Sequence, residues 1–191
     1  MYRRRDRIYW EVKLGRKDGK VSLAANVKSL PSQTDVITET LKVFAKFGLN
    51  TEDFFALLGA HTIGTASCKL ITDRINSIDR SFIVLNFNPL FLVMLQQACP
   101  IGCDGSRRVA LDTGSELVFD TSIFKNILNG SAVLNIDQSL LNIPTIYRLL
   151  QEFLTFERFN TIFVRPMNRM SEIEVKTGLN GEIRRNCSRV N

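Results

Sequence analysis

The stretch FFALLGAHTIGTASC, residues 54 to 68, decides how the rest of the chain is read, because it holds His61, the only histidine among 191 residues. An apolar run leads into the imidazole and small residues follow it. Asn50 can cap that run, with Glu52 and Asp53 in the first turn, so a helix from Thr51 to Ala60 delivers His61 at its C-terminal end. A lone histidine in apolar surroundings is commonly a hydrogen-bonded core residue. The competing reading is a metal ligand or a catalyst, and the surroundings decide between them.

The bulk composition is that of a globular chain, one domain or a large piece of one, with 45% hydrophobic residues. A net charge of +6 permits an acidic partner. The basic residues are scattered apart from the opening MYRRRDR, and no aromatics interleave with a basic stripe, so nucleic acid is not expected. No stretch reaches the roughly 18 to 20 apolar residues of a membrane span. MYRRRDRIYWEVKLG lacks the apolar core of a secretory signal, so the chain is expected to be soluble or peripheral, with no signal peptide. GRKDGK has the wrong spacing for a phosphate-binding loop.

Apolar periodicity predicts a mainly helical protein. Thr34 or Asp35 can cap a helix with Ile37, Leu41, Phe44 and Phe47 on one face and Gly48 at its end. Asn88 and Pro89 open a helix running to Ala98, and Asp120 caps TSIFKNILNG, which closes at Gly130. SAVLNIDQSL is expected to form a small strand pair. Helices from Thr145 to Phe153 and from Phe156 to Met170 follow, the second with Phe156, Phe159, Phe163 and Met167 on one face. Pro166 inside it predicts a kink or a break, at about 3 kcal/mol if unrelieved. The wide spacing of Cys68, Cys99, Cys103 and Cys187 suits disulfides better than a CxxC site, and a zinc site from His61, Cys68, Cys99 and Cys103 is also conceivable. Asn129 and Asn186 begin N-glycosylation sequons, which matter on a secretory route.

Five stretches, in order, resemble one family, the class III secretory plant haem peroxidases: WEVKLGRKDGKVS (10 to 22), LLGAHTIGTASC (57 to 68), LVFDTSIFKNIL (117 to 128), LNIDQSLL (134 to 141) and MSEIEVKTGLNGEIRRNC (170 to 187). The resemblance covers residues 10–191 and leaves residues 1–9 unmatched. It implies a mainly α haem-peroxidase fold with at most a short β pair, haem b and Ca2+ as cofactors, and hydrogen peroxide and small phenolic donors as substrates. It also implies a secreted or vacuolar location; oligomeric state is left open. His61 then corresponds to the proximal iron ligand and Asp137 to the carboxylate that orients it. Thr62, Asp112, Ser115, Val118 through its carbonyl, and Asp120 correspond to a calcium site. Cys68 and Cys99 match a family disulfide, and Cys187 one end of a second.

The family also uses a distal histidine and arginine, for proton transfer and charge stabilisation during peroxide cleavage. With His61 placed on the iron, neither is found here, so the chain is expected to be the proximal half of such a domain, with an apolar face left uncovered. The alternative expectation is a truncated, non-catalytic haem-binding or pseudogene-like fragment. Leu58, before the glycine, Leu111, near the proximal histidine, and Ser67, near a haem propionate, depart from the family's usual residues, and SLPSQTD lacks the family's second proline.

Overall fold

The computed structural model describes residues 8–32, 35–78, 87–103 and 105–191; Thr34 and the basic cluster at residues 1–7 lie outside them. Helix α1 spans Ile37–Lys46. Val36 stands at its N-cap, while the Asp35 carboxylate accepts from the Ser32 N–H at 2.7 Å, so Asp35 makes the turn before the helix and does not cap it. The helix ends where Gly48 takes φ of +76°, a conformation costly for other residues. There the N–H groups of Gly48 and Leu49 donate back to Ala45 and Phe44, and Leu49 is buried beneath the turn. Phe47, expected on the apolar face, is the C-cap and stays exposed.

Helix α2 (Thr51–Leu58) begins with a reciprocal cap. The Asp53 N–H donates to Asn50 Oδ1 at 2.8 Å and the Asn50 N–H to Asp53 Oδ2 at 3.0 Å. It is shorter than its sequence suggests, tightening after Leu58 into a 3-10 turn, Gly59–Thr62, that carries His61. Strand β1 (Thr65–Ser67) follows and pairs antiparallel with β2 (Arg108–Ala110), Ala66 opposite Val109. Helices α3 (Cys68–Ile78) and α4 (Pro89–Ala98) lie between these strands in sequence. Asn88 caps α4 by accepting from the N–H groups of Leu90 and Phe91, and the Cys68–Cys99 disulfide ties the start of α3 to the end of α4.

Helix α5 (Ser122–Leu128) is followed by α6 (Asn135–Ser139), α7 (Ile146–Phe153) and α8 (Phe156–Ser171). The expected strand pair in SAVLNIDQSL is therefore a short helix, and the sheet is built from residues elsewhere. Gln138 explains the difference: its side chain donates to the Ile127 carbonyl and accepts from the Ala132 N–H, winding the segment back on itself. Helix α8 also runs unbroken through Pro166, which is buried. Contacts on both sides of the proline hold it, because Arg165 and Arg169 pair with Asp53 while Phe163 and Met167 pack into the core.

The core lies where α2, α5, α7 and α8 meet. Each contributes a fully buried ring, Phe55, Phe124, Phe153 and Phe159, and neighbouring ring centroids stand 4.8 Å (Phe55–Phe153) and 5.1 Å (Phe124–Phe159) apart. The leading segment joins the chain end through paired backbone bonds, the Lys17 N–H to the Lys176 carbonyl and the Asp18 N–H to that of Glu182, both 2.9 Å. Apolar side chains along this leading segment, Leu14, Leu23, Val27 and Leu30 among them, remain exposed. Cys103 and Cys187 are free thiols. Among the described residues, no helix is long and apolar enough to cross a membrane.

Candidate functional site

The turn bearing His61 is fixed by close packing at Gly59. A Cβ there would stand 2.5 Å from the Phe159 ring and 2.8 Å from that of Phe124, so only glycine lets the turn sit directly on the aromatic core. Two residues later, His61 Nδ1 lies 3.1 Å from each carboxylate oxygen of Asp137, which is wholly buried on α6. A carboxylate in that position accepts the Nδ1 proton and leaves Nε2 with its lone pair. Burial works against charging the imidazole, but the Asp137 charge and hydrogen bond outweigh it and raise the His61 pKa above the ordinary 6.5.

His61 forms part of the wall of a cavity of about 420 Å3. Phe44, Phe54, Leu57, Leu58, Leu134 and Ile136 supply most of the remaining wall. Among the described residues, the buried hydroxyl of Thr40, also in the wall, has no hydrogen-bond partner. An apolar chamber with one oriented imidazole fits haem, which is largely apolar and takes a nitrogen ligand on its iron. Leu58, one of the departures from the family pattern, adds apolar surface to this wall. Ser67 is turned to other work: its hydroxyl donates to the Gly105 carbonyl at 2.7 Å.

Beside this turn the structure gathers a cluster made of oxygen. The Thr62 hydroxyl, next in sequence to His61, lies 2.9 Å from Asp112 Oδ2, 3.3 Å from Asp120 Oδ1 and 3.5 Å from the Val118 carbonyl. Ser115 Oγ is 3.1 Å from the same Asp112 oxygen and 3.3 Å from the same Asp120 oxygen. All five residues suggested by the sequence thus converge. Two carboxylates with hydroxyl and carbonyl oxygens form a donor set suited to a hard cation such as Ca2+. Burial alone would push Asp120 up, but hydrogen bonds from Ser122, Ser115 and Thr62 hold its pKa below the usual carboxylate value. The zinc alternative falls, because Cys68 and Cys99 are joined to each other.

Three residues escaped sequence reasoning. Ser122 bonds through its hydroxyl to both Asp112 and Asp120 at the centre of the oxygen cluster. Gln138 anchors the turn next to Asp137, and buried Arg74 on α3 donates to the carbonyls of Ala132 and Val133. A signal for Arg74 was present, since it follows Ile71 by three positions and adjoins Ile75 on the same buried helical face.

These features define a helical protein with a carboxylate-oriented histidine in an apolar cavity and an all-oxygen cluster one residue away. The family profile described as Peroxidase matches residues 4–155. Peroxidase 62 of Arabidopsis thaliana is 46% identical over 184 residues, covering 95% of this chain and 58% of that protein. Peroxidase N1 of Nicotiana tabacum is 45% identical over 199 residues, covering 96% and 58%, and Peroxidase 71 of Arabidopsis thaliana 44% over 183 residues, covering 95% and 56%. The chain belongs to the peroxidase family. It spans somewhat more than half the length of these plant relatives.

Proposed function

We propose that this chain would hold haem b through His61 Nε2 and, by supplying the iron's protein ligand, would serve the peroxide-dependent oxidation of phenolic or similar small donors. The observation that supports this most directly is the 3.1 Å contact from His61 Nδ1 to buried Asp137 in the wall of the apolar cavity. Bound haem would supply the redox chemistry, accepting oxidation from hydrogen peroxide and passing it to donors one electron at a time.

The chain's own residues supply the setting. Asp137 holds the Nδ1 proton, which fixes the ring's orientation and makes Nε2 a stronger electron donor. With haem in place, the apolar wall would keep water from the imidazole and strengthen that hydrogen bond. The oxygen cluster of Thr62, Asp112, Ser115, Val118 and Asp120 would hold Ca2+ and brace the residue following His61. With its single histidine engaged in this way, the chain has no second imidazole to carry the peroxide proton.

The test is a hemin titration of the purified chain with calcium present, following the Soret band in wild type and His61→Ala. A saturable band in wild type that the variant loses is the expected result. Equal titration curves for the two proteins would overturn the assignment.

A further inference from the structure

We propose that Arg74 is a positioning residue for the Asp137–His61 pair, fixing the backbone that leads into Asp137 and furnishing a buried counter-charge to its carboxylate. This rests on the haem reading above and extends it by one further layer. Arg74 is only 8% exposed. Its Nη1 donates to the Ala132 carbonyl at 2.7 Å and to that of Val133, the residues that enter the turn before α6. Its guanidinium carbon lies 5.1 Å from the centre of the Phe87 ring, which bounds the cation from another side. Asp137 follows Val133 by four residues, so two bonds from one guanidinium nitrogen set where α6 begins and therefore where its carboxylate meets His61.

Charge strengthens the argument. Burial lowers the Arg74 pKa to about 10, and the negative charge of Asp137 acts in the opposite direction, favouring the cation. At neutral pH the guanidinium thus remains charged, within electrostatic reach of the wholly buried Asp137 carboxylate. A side chain needed only to fill space on α3 would be apolar, since burying a guanidinium is costly unless charge and hydrogen bonds offset it. Gln138 anchors the same turn from its other end. Arg74 and Gln138 therefore bracket Asp137, and only Arg74 adds charge.

The experiment uses the full chain loaded with hemin in the presence of calcium, in wild type, Arg74→Met, Arg74→Gln, Arg74→Lys and Asp137→Asn. The readouts are hemin affinity, the ferric/ferrous midpoint potential and the iron–imidazole stretching frequency of the ferrous form. A loosened Asp137 donates less negative charge through the imidazole, which favours ferrous iron. Arg74→Met is expected to raise the potential and lower the stretching frequency toward the Asp137→Asn values, with hemin bound about tenfold more weakly, as for outer partners of a metal ligand. Arg74→Lys is expected to recover most of both shifts and Arg74→Gln less. A wild-type potential and frequency in Arg74→Met would overturn the proposal, even if the variant were less stable. Should that variant not fold, equal values in Arg74→Gln, Arg74→Lys and wild type would overturn it instead. If hemin binding depends on His61 while the potential ignores Arg74, the haem reading stands and this one falls; without His61-dependent binding, both fall.

Discussion

Replacing Gly59 by alanine tests how tightly the His61 turn is seated on the core. The new methyl would lie 2.5 Å from Phe159 and 2.8 Å from Phe124, against the roughly 3.5 to 4 Å of an ordinary carbon contact, so about 1 Å must open. The rings have little room to give. Phe159 is packed by Phe119, Phe124 and Phe163 at centroid distances of 5.5, 5.1 and 5.4 Å, and Phe153 bounds it at 6.3 Å. Overpacking of this kind costs about 1 to 3 kcal/mol. The gain from replacing a helical glycine is at most about 1 kcal/mol, and smaller at a helix end. We therefore expect a net loss of about 2 kcal/mol, which for a chain of this size lowers Tm by about 4 to 8 °C. Calorimetry of the apo-protein measures it. Gly48→Ala is the control, because nothing lies within 4 Å of its added Cβ and only the φ of +76° opposes it. Since His61 is two residues away, hemin affinity should fall in Gly59→Ala and not in Gly48→Ala. A Gly59→Ala protein that melts and binds hemin like wild type would refute the packing argument.

Asp53→Ala should lose about 2 kcal/mol in urea unfolding, about 1 from the α2 cap and the rest from pairs with Arg165 and Arg169 that are discounted because both arginines are about half exposed. Asp53→Asn, able to keep the cap, should lose less. Calcium at about a hundredfold over its Kd should stabilise the chain by about 2.7 kcal/mol. Asp112→Ala should abolish that calcium dependence in a thermal melt; an equal response would remove Asp112 from the site. Hemin affinity should fall as pH drops through the raised His61 pKa, because only neutral imidazole binds iron. In the apo-protein the sign reverses: the His61–Asp137 pair contributes most stability below the unfolded value of 6.5 and loses it as pH rises through the folded pKa. Asp137→Asn should move the hemin dependence to lower pH and remove the low-pH stabilisation of the apo-protein, and hemin titrations and apo melts across pH check both.

The elements that were legible in the sequence owe their ends to local chemistry. Asn50 with Asp53, Asn88 with Pro89, and Gly48 each act within four residues, so their roles follow from composition and spacing. The residues gathered around His61 and in the oxygen cluster came through ordered motif resemblance, since no local rule places Asp112 beside Thr62 across 50 positions. Distant partners hid the rest. The turn at 131–140 reads as extended until Gln138 and Arg74 bind its backbone, and Pro166 reads as a kink or a break until Asp53 is seen holding arginines on both sides of it. The early end of α2 is hidden in the sequence for a related reason, because the aromatic floor beneath Gly59 is assembled from α5 and α8.

The proposal that His61, oriented by Asp137, is the protein ligand of the iron can be tested at the bond itself. The most direct measurement is the resonance Raman spectrum of the ferrous, hemin-loaded chain in wild type, His61→Gly and Asp137→Asn. Wild type should show an iron–imidazole stretch, lost in His61→Gly with return on adding free imidazole, and lower in frequency in Asp137→Asn. A band that persists unchanged in His61→Gly would show that some other group binds the iron and that His61 is not its ligand.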